Sequence, residues 1–320
     1  MRNFPKSRII PGRCFLKVSS DFGGPFMLKE NNRRNARAGK AYICVFICMC
    51  IKAIHIELVT DLIAESFIAA LDRFTSRRGL CQELYSDNGT NYKGAENQLN
   101  ELYKFLNEGD ESEKIKSRLA ERQIPWHHSP PPTSGPHFNG LSEAAIKAVK
   151  FHLHRVISDE KLTMAEFTTL LCKIEAILNS RPLCPISADS EELSALTPAH
   201  FIIGTPLLSL PEYNWKLTPS NRLSRWQMIQ KMSQHFWERW SAEYLTTLQP
   251  RQKWTDNAAP LKIGDLAIVK EDNAPPLQCE LAKVTELHAG TDKIPRVATV
   301  RIHNKYLRRP VVKLYRLPID

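Results

Sequence analysis

The apolar and polar positions divide the chain into two unlike stretches. Residues 41–51 form an uninterrupted apolar run, rich in β-branched and aromatic side chains, which predicts a strand buried on both faces. Ile54, Ile56 and Leu58 alternate with His55 and Glu57, the pattern of a half-exposed strand. Ahead of them, residues 15–20 read as a strand that ends at Asp21, followed by the turn signal Gly23-Gly24-Pro25. Asp61 precedes an apolar stripe at helical spacing (Ile63, Phe67, Ala70, Leu71, Phe74) that Gly79 terminates. Residues 83–86 form a short strand leading into Asp87, and 91–108 a helix closed by Gly109. A strand over 124–128, a Pro-rich loop over 130–136 and a helix over 139–158 follow. Thr163 and Glu166 make a capping box for a helix reaching Leu178. Residues 196–210 are Pro-interrupted, and 223–248 form a Trp-, Gln- and Arg-bearing helix. From Lys262 the pattern changes to short β segments at 266–269, 280–284, 297–302 and 311–314, the signature of a small β-barrel.

At 320 residues with 42% hydrophobic content, the chain is long enough for two packed domains and too apolar to be disordered. The run at 41–51 is too short to span a bilayer. No apolar stretch follows Met1-Arg2-Asn3-Phe4-Pro5, so no signal peptide and no membrane partner are expected. The eight cysteines lack Cys-x-x-Cys or paired-His spacing, and His127-His128 are adjacent, so the cysteines read as reduced and structural rather than zinc-binding.

The net charge of +10 points to a polyanionic partner, nucleic acid first. Three segments carry the excess: residues 1–40 are net +8, 216–255 net +5 and 301–320 net +5, leaving the rest net negative. Basic segments around a neutral core fit a protein that tracks a phosphate backbone, although each run taken singly also reads as solvated surface.

Three carboxylates stand out by position: Asp21 and Asp87 at strand ends, and Glu143 in the first turn of a helix. Converging at one sheet edge, such oxygens suit Mg²⁺ and the two-ion chemistry of phosphoryl transfer. The plainer alternatives are a strand-ending turn residue for Asp87 and a helix-dipole glutamate for Glu143. On the helix from Asn139, Glu143, Lys147, Lys150 and His154 share one stripe, while Ile146, Val149, Leu153 and Val156 share another. Pairing of Glu143 with Lys147 explains two members of the first stripe, but not Lys150.

Several motifs then occur in order: Tyr85-Ser86-Asp87-Asn88-Gly89-Thr90-Asn91, Pro136-His137-Phe138-Asn139-Gly140-Leu141-Ser142-Glu143, Ile177-Leu178-Asn179-Ser180-Arg181-Pro182 and Leu196-Thr197-Pro198-Ala199-His200-Phe201. With Asn221-Arg222-Leu223-Ser224-Arg225-Trp226, Ile263-Gly264-Asp265-Leu266 and Arg309-Pro310-Val311-Val312-Lys313-Leu314, they resemble the integrase of Pao/BEL-type LTR retrotransposons over nearly the whole chain. The chain departs from that pattern at Asn139 and Ser142, where the family has Gly and Trp. The resemblance implies an α/β fold: an RNase H-like integrase catalytic core with a mixed five-stranded sheet and flanking helices, then a basic helical connector and a small C-terminal β-barrel. The corresponding division is a basic leader at 1–12, the core at 13–205, the connector at 206–255 and the barrel at 256–320. The resemblance also implies a D,D,E triad of Asp21, Asp87 and Glu143 as catalytic residues and ligands of two Mg²⁺ ions, with Mn²⁺ as substitute, and Lys147 and Lys150 as DNA contacts. The implied reaction trims the element's DNA ends and then joins the 3′-hydroxyl to target DNA. Double-stranded DNA, homo-oligomerisation on it and a nuclear location follow from that reading. The alternative is a catalytically inactive or co-opted DNA-binding remnant of a retroelement, an isolated fragment of a longer polyprotein.

Overall fold

A computed structural model describes residues 12–33, 35–86, 89–108, 124–128, 140–158, 160–187, 193–248, 261–271, 275–290 and 295–317; of 102–108, 128, 140–146 and 148 it describes the backbone alone. The chain divides into two compact units, Met1–Glu175 and Ala176–Asp320. None of the described helices is long and apolar enough to cross a membrane.

The first unit is a mixed α/β structure built on a five-stranded sheet. Its strands are β1 (Lys17–Lys29), β2 (Ala38–Cys48), β3 (Ile54–Val59), β4 (Glu83–Ser86) and β5 (Trp126–His128), in the order β3-β2-β1-β4-β5. β1, β2 and β3 pair antiparallel, whereas β4 joins β1, and β5 joins β4, in parallel. The helices are α1 (Ala64–Arg78), α2 (Thr90–Glu108), α3 (Gly140–Ile157) and the start of α4 (Met164–Asn179). Ile43, Cys44, Val45 and Phe46 of β2 are fully buried, as the apolar run requires. Gly79 ends α1 at φ 84°, a conformation that glycine adopts without steric cost. The Thr163–Glu166 capping box opens α4: the Thr163 N–H donates to Glu166 Oε2 at 2.8 Å, and the Glu166 N–H to Thr163 Oγ1 at 3.3 Å.

Two strands differ from the sequence reading. β1 does not end at Asp21. It continues to Lys29, and Gly23-Gly24-Pro25 is a register shift within the β1–β2 pairing rather than a turn. Proline lacks an N–H and sits in strands at such irregularities, so β2 keeps its partner on both sides of it. β3 is buried at every position but the half-buried Leu58, His55 and Glu57 included. His55 Nε2 lies 2.8 Å from Glu57 Oε1, and its Nδ1 3.2 Å from Glu175 of α4. Arg73 Nε donates to Glu57 Oε2 at 2.7 Å; Arg77 also pairs with Glu57, and Arg78 with Glu175. The Ile56 N–H donates to Glu175 at 2.9 Å, and Arg73 donates to the Leu58 carbonyl at 3.1 Å. The helices thus satisfy both the buried charges and backbone groups of this edge strand, which would otherwise invite pairing with another chain.

The second unit carries β6 (Cys184–Pro185) paired with β7 (Ala195–Leu196), α5 (Pro198–Ile203), the long helix α6 (Arg225–Leu248), and β8 (Leu266–Val269), β9 (Glu280–Ala289), β10 (Pro295–Ile302), β11 (Lys305–Pro310) and β12 (Leu314–Arg316). The last five form an antiparallel sheet in the order β11-β10-β9-β8-β12. It is open rather than the expected closed barrel, because β12 is three residues long and pairs only with β8 among the described residues. Val311–Lys313, expected to begin a strand, is a 3₁₀ turn; β11, unforeseen, precedes it. β8 is buried on both faces. Ala267 and Val269 pack with Val284, Val300 and Leu314, while Leu266 and Ile268 pack with Leu245 and Leu248 of α6. That arrangement explains an uninterrupted Leu-Ala-Ile-Val strand in an antiparallel sheet.

Burial alone would lower the pKa of His55, but its hydrogen bonds to Glu175 and Glu57 outweigh this and raise it above its ordinary value. Burial works the other way on Glu57 and Glu175, and their bonds to His55 and the arginines hold both below the usual carboxylate range. The His55 contribution to stability is complete below about pH 6.5 and fades as pH rises through its raised pKa; the glutamate contributions are lost on acidification. Stability to urea is therefore expected to peak in the weakly acidic range and to decline toward alkaline pH, and His55→Gln to flatten that decline. Glu57→Gln is expected to cost about 1–3 kcal/mol, less than the 3–5 kcal/mol of breaking a fully buried pair, because Arg73 and Arg77 remain half solvated.

Candidate active site

Asp21 lies in the middle of β1, opposite Val45 of β2, with its side chain a third exposed. Oδ1 accepts the Phe22 N–H at 2.7 Å, and Oδ2 receives Lys150 Nζ at 3.4 Å. Lys150 comes from α3, which packs against β1 and buries Val149 and Leu153 completely. Of the two stripes read from the sequence, the apolar one has Val149 and Leu153 buried and Val156 half-buried, with the Ile146 side chain outside the described residues; on the other, Lys147 is exposed and Lys150 half exposed. His154, on the same stripe, stacks on Phe26 of β1 with ring centroids 4.6 Å apart.

Gly23 makes the Lys150 contact possible. A Cβ there would stand 2.9 Å from Lys150 Cε and 2.9 Å from Ile43 Cγ1, closer than atoms pack, so the absent side chain is the space the lysine stem fills.

The residues on either side of Asp21 are fixed from the opposite face of the sheet. Ser20 Oγ donates to the buried Tyr92 hydroxyl at 3.1 Å. Phe22 meets the rings of Tyr92 and Phe67 at 5.3 and 6.0 Å. Trp126 Nε1 donates to Ser86 Oγ at 2.9 Å, and its ring lies 5.3 Å from Phe67. Ser86 is the last residue of β4, immediately before Asp87. These aromatic residues of α1, α2 and β5 hold the stretch of β1 around Asp21 and the end of β4. The sequence reading missed that role for Tyr92 and Trp126; their isolated polar edges in otherwise apolar surroundings are the one signal available for it.

Of the other sequence-derived candidates, Asp87 lies outside the described residues. The Glu143 backbone belongs to α3, but its side chain lies outside them, as do residues 130–136, Asn139 and the Ser142 side chain. The structure thus joins Asp21 to Lys150. Among the described residues no group of three or more His, Cys, Asp or Glu side chains could hold a metal. Asp21 supplies hard carboxylate oxygens of the kind Mg²⁺ takes, and one of them already faces a cation.

A second basic surface lies on the sheet of the second unit. Arg301 sits opposite Tyr306, and Thr299 opposite Arg308, so strand alternation places these four on one face. Tyr306 and Arg308 are exposed. Ala298, Val300 and Ile302 turn to the core on the other face. Arg309 and Arg316 instead pair with Glu271 and Asp265.

Residues 224–317 match a family of unknown function, DUF5641. No curated protein matches the chain. Among solved structures, one similar to it is the simian T-cell lymphotropic virus intasome in complex with PP2A regulatory subunit B56 gamma, with 14% identity and a TM-score of 0.35, covering 100% of this chain and 84% of that one.

Gly23→Ala is expected to push Lys150 off Asp21 and to destabilise the first unit by about 1–3 kcal/mol, read from the denaturant midpoint. A midpoint unchanged from the parent would mean that the lysine stem does not occupy that space.

Proposed function

We propose that the protein is an integrase-type polynucleotidyl transferase of retroelement origin, which trims DNA ends and joins them to target DNA. One observation carries this reading beyond the motifs. β1 and β4 run in parallel with Lys17 opposite Glu83, an offset of 83 − 17 = 66 that Val18–Leu84 and Ser19–Tyr85 repeat. Asp21 and Asp87 are separated in sequence by the same 87 − 21 = 66. Parallel neighbours deliver residues of like register to the same end of a sheet, where open α/β folds place their sites. The third carboxylate, Glu143, belongs to α3, whose next two turns carry Lys147 and Lys150.

In this reading Asp21, Asp87 and Glu143 hold two Mg²⁺ ions. Bound there, the ions supply Lewis-acid stabilisation of the attacking and leaving oxygens of a phosphodiester. The chain's own groups do the positioning. Lys147, solvated, and Lys150, at the edge of the carboxylate, receive DNA phosphates. Ser20, Tyr92 and Trp126 keep the Asp21 stretch of β1 and the end of β4 from shifting. The Arg301–Arg308 face of the second unit tracks the backbone without reading bases, so target choice depends on DNA shape more than on sequence. The protein acts on double-stranded DNA as a homo-oligomer in the nucleus.

The test is an oligonucleotide assay in Mg²⁺ or Mn²⁺ with labelled duplex ends. Trimmed and joined products are expected from the parent and from neither Asp21→Asn nor Asp87→Asn. Equal product from parent and variants would remove the site from these residues. DNA binding by the parent with no product in either metal would favour the inactive DNA-binding remnant. In a salt titration of duplex binding, Lys147→Ala is expected to weaken binding uniformly across sequences and to reduce the salt slope by about 1. An unchanged slope would place Lys147 off the DNA path.

A further inference from the structure

Away from the carboxylate site, the side chains of Cys14, in the segment ahead of β1, and Cys48, the last residue of β2, lie together. The Cys14 thiol donates a hydrogen bond to the Cys48 sulfur. That sulfur also accepts the Phe15 N–H at 3.3 Å, and the backbone of Cys50 and Ile51 hydrogen-bonds it as well. Cys48 is buried, whereas Cys14 is half exposed and gives the pair an opening to solvent. Arg13 and Arg78 add positive charge beside the pair, and Arg13 is anchored by donating to the Arg78 carbonyl at 2.6 Å.

The backbone on both sides is held in an unusual state. Phe15, which follows Cys14, has φ 61°, and Lys52, in the turn that follows Cys48, has φ 56°. Neither a phenylalanine nor a lysine adopts the left-handed region readily, and such residues concentrate where surrounding structure fixes a functional geometry. The strained turn at Phe15 directs its N–H at the sulfur. The turn over 48–53 closes through Lys52 N–H to Cys48 O at 2.9 Å and Cys48 N–H to Ala53 O at 2.8 Å. A buried structural cysteine needs none of this: it packs as a small hydrophobe, as Cys44 does within β2.

We propose that Cys14 and Cys48 form a redox-active dithiol that a small peroxide oxidises to a Cys14–Cys48 disulfide. The hydrogen bond from Cys14, with the backbone amides and against burial, pulls the Cys48 thiol down to about 6, while that bond and burial push the Cys14 thiol up, which favours a thiolate on Cys48. The thiolate sulfur attacks one peroxide oxygen. The O–O bond breaks, and the departing hydroxide takes a proton and leaves as water, giving a sulfenic acid. The second thiol then attacks that sulfur, the S–S bond forms and a second water leaves. Two thiols are thereby oxidised by two electrons and the peroxide is reduced to two waters. The disulfide joins the segment ahead of β1 to the end of β2, about 10 Å along the strand from the Val45 that faces Asp21. The inference does not depend on the integrase reading.

The full chain, reduced and freed of reductant, is exposed to dilute hydrogen peroxide, and its thiols are counted in denaturant before peptide mapping. The parent is expected to lose two of its eight thiols, to show a cross-link between the peptides holding Cys14 and Cys48, and to recover both thiols with dithiothreitol. Cys50→Ser is expected to behave the same, and Cys14→Ser to form no cross-link. No cross-link in the parent, or one that maps to Cys50 or survives in Cys14→Ser, would overturn the proposal. The parent's peptide map reads the answer even where a variant folds poorly.

Discussion

Everything in the first unit depends on β1 being satisfied on both edges. A strand with β2 antiparallel on one side and β4 parallel on the other is fixed in two registers at once, and a slip of one residue would turn its core face to solvent. The antiparallel register sets Asp21 opposite Val45, in the most apolar part of β2. The parallel register sets the 66-residue offset with the segment that ends at Ser86. Because the side chains of a strand alternate, Ser20 and Phe22 must face the aromatic layer formed by Phe67, Tyr92 and Trp126, and Asp21 must face α3. The carboxylate is therefore placed by backbone hydrogen bonding and by apolar packing of its neighbours.

What the sequence revealed and concealed follows from the range of the interactions. The β2 run, the Gly79 stop and the Thr163–Glu166 box are local: each element is specified within a few residues, and the last two appear where the pattern places them, while β2 starts and ends three residues ahead of the apolar run. β3 misleads because alternation reports polarity rather than exposure. His55 and Glu57 are buried because Arg73, Arg77, Arg78 and Glu175 reach them from two helices, and nothing near His55 in the chain announces those partners. β1 is longer than its pattern because Gly23-Gly24-Pro25 carries every local mark of a turn, while the pairing with β2 resumes at Phe26. β11 escapes because Lys-Tyr-Leu-Arg-Arg-Pro offers one aliphatic residue to a sheet edge, and edge strands tolerate that.

The candidate site divides along the same line. Asp21 and Lys150 were legible, the first as a carboxylate in a strand context and the second from helical periodicity. Their contact needed Gly23, whose meaning in the sequence was a turn and whose meaning in the fold is room for a lysine stem. Tyr92 and Trp126 were not legible as positioning residues, because their hydrogen bonds to Ser20 and Ser86 reach residues distant in the chain, and their rings pack like other core aromatics.

The ion pair between Lys150 and Asp21 is a weak one. Both side chains are a third exposed and the separation is 3.4 Å, conditions under which such pairs contribute about 0–1 kcal/mol. The network around His55 differs in kind: His55 and Glu57 are buried, so removing a partner leaves a buried group uncompensated, even though Arg73 and Arg77 reach it from half-solvated positions. One sheet thus carries a charge cluster that fixes structure at its edge and a solvated carboxylate–ammonium pair near its centre that fixes very little. A contact that costs so little to open lets the Lys150 ammonium turn from Asp21 to another anion. That weakness is compatible with the metal-ligand and phosphate-contact roles proposed for the two residues, whereas a pair that held the fold together would be shorter and drier.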